Sequence, residues 1–444
     1  MSDAPVTPIS PADPVATLPL IDVRVVRLPN SHPQRHAPLV DLLPAPRDVL
    51  GWTGPRRSIV GWGRAWTDEV VGRHAIREAA RHWDRVRRAA LVETPGTLPG
   101  APLALGSFGF AWATPGVLVV PQVCVVDGPE GRHVVTAAAV GTLDQDGNAH
   151  RDEDAAPALD PLEALEEARQ RRAGNPVTQP QGLWTAAGRM SQSRWTDSVR
   201  RLIQRLRTGV ASKVVMSRDM VVSAAAPLDE RFLLTRLHDL YPTTWGFAVG
   251  GLVGATPEML ASMDSGVLTS RVLAGTAPRG QGEGLLTDMK ERTEHLLAVE
   301  SVARALGPLA ETLEVPDTPT LLDLPNVAHL ATDIRAVLGD ANVLDVVAAL
   351  HPTAAVCGTP TPLAFDLLLA FEETRRGRYS GPVGWIDGAG EGEFGIALRC
   401  GQTEADGSSL RVFAGGGIMP DSVPEAELAE TRAKMRPLLE ALGI

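Results

Sequence analysis

An α+β protein with large antiparallel sheets is what this sequence predicts, on three observations. Alternating or β-branched runs such as VLVVPQVCVV and VLTSRVLAG recur along the chain. Several are joined by turns too short for a crossover, so their strands must pair antiparallel. Helix-period blocks interrupt the hairpins without alternating strictly with single strands, which argues against a doubly wound βαβ arrangement. The 444 residues, 44% of them hydrophobic, are enough to bury a large core.

Residues 1 to about 18 are rich in Pro, Ala and Ser and are expected to be disordered. Asp68 to Ala90 reads as a basic amphipathic helix, with Arg73, Arg77, Arg81, Arg85 and Arg88 along a solvated side. LALGSFGFAW and the β-patterned run up to VVTAAAVGTL follow, closed by a DQDG turn at Asp144–Gly147. The acidic, alanine-rich segment from Asp152 to Asn175 reads as a surface helix. It separates an N-terminal portion, 19–180, from a C-terminal portion, 181–444, and the two can form one compact unit. The second portion opens with a helix over Gln192–Thr208, whose Val199, Leu202, Ile203 and Leu206 form one stripe and which Gly209 ends. Strand SKVVMSRDMVV, a helix capped by Asp229, and strands TWGFAVGGLVGA, MLASMD and VLTSRVLAG come next. A long helix, Thr287–Leu306, and shorter helices fill the chain to about Thr374. GPVGWID and EFGIALRC form a hairpin, and LRVFAG leads through glycines into a terminal helix.

Composition narrows the function. A net charge of −11 argues against a nucleic-acid binder, which carries a basic face. Cys124, Cys357 and Cys400 have no metal-like spacing and point to free thiols in a reducing compartment. No apolar run approaches the roughly 18 residues of a membrane span, and the N-terminus lacks the basic and apolar regions of a secretory signal. A soluble, cytoplasmic protein is expected. The chain has 39 arginines and three lysines, Lys213, Lys290 and Lys434. Lysine can act as a free amine and arginine cannot, so the retained lysines are where a general base is sought.

Several stretches carry candidate chemistry. In AGGGIMPDSVPEAELAETRAK, Gly415, Gly416 and Gly417 precede a helix bearing Glu427, Glu430 and Lys434 on one face. Such a stretch suits an acidic substrate, held by backbone N–H groups and partly through a divalent metal. Lys213 lies on an apolar strand, where desolvation favours the neutral amine of a general base. Glu258, in GATPEML, stands at a turn between apolar neighbours, where a carboxylic acid can stay protonated as a donor. Glu291 and Glu294 on the long helix could meet the terminal-helix carboxylates around a hard cation such as Mg²⁺. Arg399 at a sheet end and Tyr379 in a glycine turn can bind a carboxylate, and His351 precedes Pro352 at a helix end. Each residue also admits an ordinary role: a snorkelling lysine, a turn glutamate, a solvated helix face, a structural cap.

KVVMSR, GATPEML, RVLAGTAPRG, DMKERTEH, NVAHLATD, LHPTAAVCGTP, YSGPVG, ALR and the closing glycine stretch occur in the order seen in the chorismate-utilising enzymes. The resemblance runs from Met190 to Lys434, and GSFGFAW extends it into the first portion. Within that family the pattern is similar to the isochorismate synthases. The resemblance implies one buried site in which Lys213 activates water for attack on C2 of the ring and Glu258 protonates the departing C4 hydroxyl. It further implies that Glu294 and Glu430 hold Mg²⁺, with Glu427 in support through water. His351, Thr353, Lys434 and the Gly415–Gly417 backbone would line the ring-carboxylate pocket. Ala274, Gly275 and Thr276 would lie against the substrate, with Arg399 and Tyr379 on the pyruvyl carboxylate. Lys213 distinguishes the chain from the ammonia-using anthranilate synthases, so no obligatory amidotransferase is expected. Ala274 stands where the aminodeoxychorismate synthases carry a nucleophilic lysine. Thr361 stands where salicylate synthases and the aminating enzymes tend to carry lysine. Salicylate formation and a non-catalytic chorismate-binding subunit are the alternatives, with a monomer or weak homodimer expected.

Overall fold

The computed structural model describes residues 17–93, 98, 100–278, 280, 282–323 and 327–444. The patterned runs become strands, and short turns fix their pairing. Ser265 and Gly266, at φ of +53° and +75°, close the hairpin between Met259–Asp264 and Val267–Pro278.

Two sheets result. The larger has 14 strands among the described residues. From one edge it runs Trp184–Ala187, Lys213–Ser223, Ser409–Ile418, Cys400–Thr403, Leu252–Thr256, Trp245–Val249 and Leu50–Thr53, and it ends at Leu18–Arg27 and Leu91–Glu93. Only that last described pair is parallel. The second sheet has ten strands, with Val267–Pro278 between Val327–Leu338 and Met259–Asp264. Both sheets draw on both portions of the chain. Leu50–Thr53 pairs with Trp245–Val249, and Leu103–Ser107 pairs with Pro382–Asp387.

The apolar faces of the strands meet in a core that includes Trp52, Leu105, Phe108, Val383 and Phe394. The Trp52 indole, on the larger sheet, donates to Glu393 Oε2 of the smaller one at 2.9 Å. A second cluster packs the helices Glu230–Leu240 and Pro424–Leu442 onto Val222, Leu410 and Val412 of the larger sheet. No helix among the described residues is long and apolar enough to cross a membrane.

Several expected elements shift. The first strand already begins at Leu18, within the stretch expected to be disordered. The arginine-rich helix spans Ala75–Ala89, because Trp66–Val70 alternates and pairs with Gly116–Val120 as a strand. Part of the region expected to hold short helices is Ala310–Glu314, Thr320–Asp323 and Val327–Leu338, all in the second sheet. Its Thr, Val and Ile content suits a pleated surface. Arg399 lies between the strands Gly392–Ile396 and Cys400–Thr403, at a φ of +47°. The three glycines are interior to the strand Ser409–Ile418, and the terminal helix starts only at Pro424.

Glu230, only 2% exposed, shows what burial costs here. Its Oε2 accepts the Val49 N–H at 3.2 Å, yet desolvation raises its pKa from 4.5 to about 7. The folded state therefore holds a proton that the unfolded state has released between those values, so stability falls as pH rises through that window. Glu230→Gln keeps an acceptor without the charge. It is expected to raise the melting temperature at pH 8 but not at pH 4, with at most about 3 kcal/mol at stake. Thermal unfolding of both forms at the two pH values checks this.

Candidate active site

The strand Lys213–Ser223 is held on both sides. Its antiparallel neighbours are Gly358–Thr359, opposite Lys213 and Val214, and Ser409–Ile418, which puts Val215 opposite Gly417 and Ser217 opposite Gly415. A buried ion pair braces it: Glu372 and Arg376 meet at 2.7 Å, both nearly inaccessible. Glu372 Oε2 accepts the Ser217 N–H at 2.7 Å, and Arg376 donates to the Val215 and Val356 carbonyls at 2.5 and 2.8 Å. The backbone that carries Lys213 is thereby fixed.

Each glycine of the run leaves room for a different side chain. A methyl group at Gly415 would sit 3.3 Å from Tyr379 Oη, at Gly416 2.8 Å from Glu427 Oε2, and at Gly417 2.6 Å from Lys213 Cε. The run is therefore a platform for close approach. The expected N–H nest ahead of a helix is not what forms, because the three residues continue a strand. Ser217, opposite Gly415, bonds instead to Glu372 and the Trp195 indole. Gly415 faces the other way, and its carbonyl accepts from Lys434 Nζ at 3.0 Å. By strand alternation the Gly417 N–H shares that direction.

The charged groups converge on this platform. Lys434 also pairs with Glu430 at 2.5 Å, one helical turn away. The half-buried Glu258 has its pKa raised by desolvation, opposed by the positive charges of Lys213, Lys434 and Arg399. Its backbone is set by Thr256, whose Oγ1 accepts the Glu258 N–H at 3.2 Å and donates to Ile396 O at 2.6 Å. Arg399 feels Tyr379, Glu430 and Glu258, and burial lowers its pKa. Tyr379 is 4% exposed, stacks on Phe413 at 5.2 Å and has its pKa pushed up to about 12 by burial. Lys213, Glu258, Tyr379, Arg399, Glu427, Glu430 and Lys434 thus share one region around the glycine run.

Glu427 Oε1 accepts from Ser422 Oγ at 2.6 Å, while its buried Oε2 has no hydrogen-bond partner among the described residues. Burial and the nearby Glu430 raise its pKa. A buried carboxylate oxygen without a donor, one turn from a second carboxylate, fits a hard cation such as Mg²⁺. Glu294 lies on the helix Met289–Leu306, but its side chain, like that of Thr276, is outside the described part. Ala274 and Gly275 form a bulge opposite Val327–Leu338, with Gly275 at a φ of +77°. The Gly275 face is close to Glu291, whose Oε2 lies 3.3 Å from an added methyl group. His295 stitches the helix to the sheet, with Nδ1 at 3.2 Å from Ala274 O and Nε2 at 2.7 Å from Thr332 Oγ1.

Two histidines lie in different surroundings. His351 sits edge-on to Phe110, and its Nε2 is 3.2 Å from the Phe110 carbonyl. Burial pushes its pKa down to about 4, and the one charged group acting on it is Arg376, not Lys434. Its Nδ1 and the Thr353 Oγ1 have no hydrogen-bond partner among the described residues. His329, not among the expected site residues, is 3.4 Å from the Gly275 carbonyl and feels both Lys213 and Lys434. Its signal was the strand alternation of NVAHLATD, hidden by reading that region as helical.

The sequence model of the family described as "Chorismate binding enzyme" matches residues 50–443. The chain belongs to that family. The isochorismate synthase DhbC of Bacillus subtilis (strain 168) is 36% identical over 310 residues, covering 64% of this chain and 74% of the relative. The salicylate biosynthesis isochorismate synthase of Pseudomonas aeruginosa is 32% identical over 423 residues, 89% of this chain and 84% of the relative. Among solved structures, MenF, the menaquinone-specific isochorismate synthase from Escherichia coli, superposes with a TM-score of 0.73. It covers 97% of this chain and 96% of its own at 21% identity, a likeness of fold. For a chorismate-binding enzyme, the lysine–glycine–glutamate platform is the natural place to seek the substrate.

Proposed function

We propose that this chain is an isochorismate synthase, an isomerase that converts chorismate to isochorismate. The observation that carries the reading is Lys213 lying across Gly417 in the same site as Glu258, the half-buried acid whose pKa burial raises. The two relatives, named as isochorismate synthases, support it.

In this reading Lys213 accepts a proton from a water whose oxygen bonds to C2 of the ring. The C1–C2 double bond moves to C1–C6, the C5–C6 double bond moves to C4–C5, and the C4–O bond breaks. Glu258 gives its proton to the departing hydroxyl, which leaves as water. One water enters and one leaves; Lys213 gains a proton from the first and Glu258 loses one to the second. Burial raises the Glu258 pKa and so favours the protonated form that a donor needs. Arg399 and Tyr379 offer donors to the pyruvyl carboxylate, and Lys434 adds positive charge beside the ring carboxylate. Glu430 and Glu427, with Glu294, would hold Mg²⁺, which supplies positive charge to that carboxylate.

Purified protein incubated with chorismate and Mg²⁺, without an amidotransferase, is expected to form isochorismate. No conversion at all would sink the proposal. Pyruvate, followed with lactate dehydrogenase, is expected to stay at background, since release in step with turnover marks a salicylate-forming enzyme. Chelation with EDTA is expected to abolish conversion and added Mg²⁺ to restore it; full activity in EDTA rejects the metal.

A further inference from the structure

Side chains alternate along the strand Lys213–Ser223, so Arg218 points to the face opposite Lys213. There a cavity of about 320 Å³ lies between the edge strand Trp184–Ala187 and the terminal helix, toward the small end of ligand pockets. Arg218 lines it and is 4% exposed. Its Nε donates to Thr431 Oγ1 at 2.7 Å, and among the described residues its two terminal nitrogens make no hydrogen bond or ion pair.

The acid beside it has both oxygens engaged elsewhere. Asp219 Oδ2 already holds Arg411 at 2.6 Å, and Oδ1 accepts the Arg189 N–H at 3.0 Å. The second cation at the cavity, Arg432, is exposed and donates to the Gln192 side chain. Burial and the Arg432 charge push the Arg218 pKa down, against a smaller opposing pull from Asp219. A guanidinium largely withdrawn from water, repelled by a second cation and with no carboxylate on its terminal nitrogens, is costly unless an anion completes it. Thr185 and Gln192 add polar groups to the lining, and the soft apolar part of the wall is Met190, Met220, Met435 and Leu439. Methionine adapts to flat or branched apolar shapes.

We propose that this cavity binds a small monocarboxylic acid with an aromatic or branched apolar body. Its carboxylate pairs with the terminal nitrogens of Arg218, and its body packs among the methionines. The site is distinct from the glycine platform, and its existence does not depend on the reaction assigned there.

The test uses 4-bromobenzoate as probe with the full chain. Crystals grown with it are expected to show an anomalous bromine peak between Met220 and Met435. In calorimetry, Arg218→Met is expected to weaken binding by at least roughly tenfold, and Arg432→Ala by roughly threefold. Arg432 is exposed, so its variant stays informative if Arg218→Met fails to fold. No bromine in the cavity, bromine only around Lys213, or wild-type affinity in the variants that fold would each overturn the proposal.

Discussion

Replacing Lys213 by alanine is expected to lower kcat with chorismate roughly 10²–10⁴-fold, the usual worth of a positioned base. The strand should survive the change, because its register depends on backbone pairing to Gly358–Thr359 and Ser409–Ile418. The Glu372–Arg376 brace also grips the backbone and not the lysine. Loss of kcat with an unchanged melting temperature is therefore the expected pattern. Glu258→Gln should cost a similar factor and also change the pH profile. The folded pKa of Glu258 is raised, so the acid form is present below it and activity falls as pH rises through it. That alkaline limb should vanish in the glutamine variant. Near-wild-type turnover in both variants would reject the assignment of base and acid.

Gly417→Ala is expected to cost roughly 10²-fold in kcat without removing any functional group, the scale of a misplacement of about 1 Å. A methyl group there would lie 2.6 Å from Lys213 Cε, closer than carbon atoms approach. The lysine stem is flexible, so the clash is relieved by moving the amine and not by unfolding the sheet. Gly415→Ala is the comparison: its methyl group meets Met216 O and Tyr379 Oη at 3.3 Å and does not touch the lysine. It should lose less. Steady-state kinetics of the two variants beside their melting curves decides the matter, and equal loss in both would show that the lysine is not what the glycine accommodates.

Much of the site was legible because its signals are local. Scarcity picked out Lys213 and Lys434, and helical spacing put Glu427, Glu430 and Lys434 on one face. The sequence could not show that the glycine run stays in a strand, since glycine is a weak strand former and that strand is held by Lys213–Ser223, some 200 residues earlier. His329 escaped for a similar reason: its strand exists only through pairing with Val267–Pro278. The place of His351 before a proline suggests a helix-end cap, and tertiary structure adds the contact of its Nε2 with the Phe110 carbonyl. The Glu372–Arg376 brace could be suspected as an i,i+4 pair, but not its grip on the lysine strand.

The interleaving of distant segments in the larger sheet bears on how the molecule comes into being. Leu50–Thr53 finds its partner in Trp245–Val249, and the strand bearing Lys213 waits for residues beyond 409. Most of the closure entropy must be spent before the platform exists, so folding is expected to be slow, late and all-or-none. A nascent chain halted before Ser409 would have its base but neither glycines nor terminal carboxylates, and the lysine strand would present an open edge. Competence for chemistry therefore arrives only after the segment from Ser409 onward has been made.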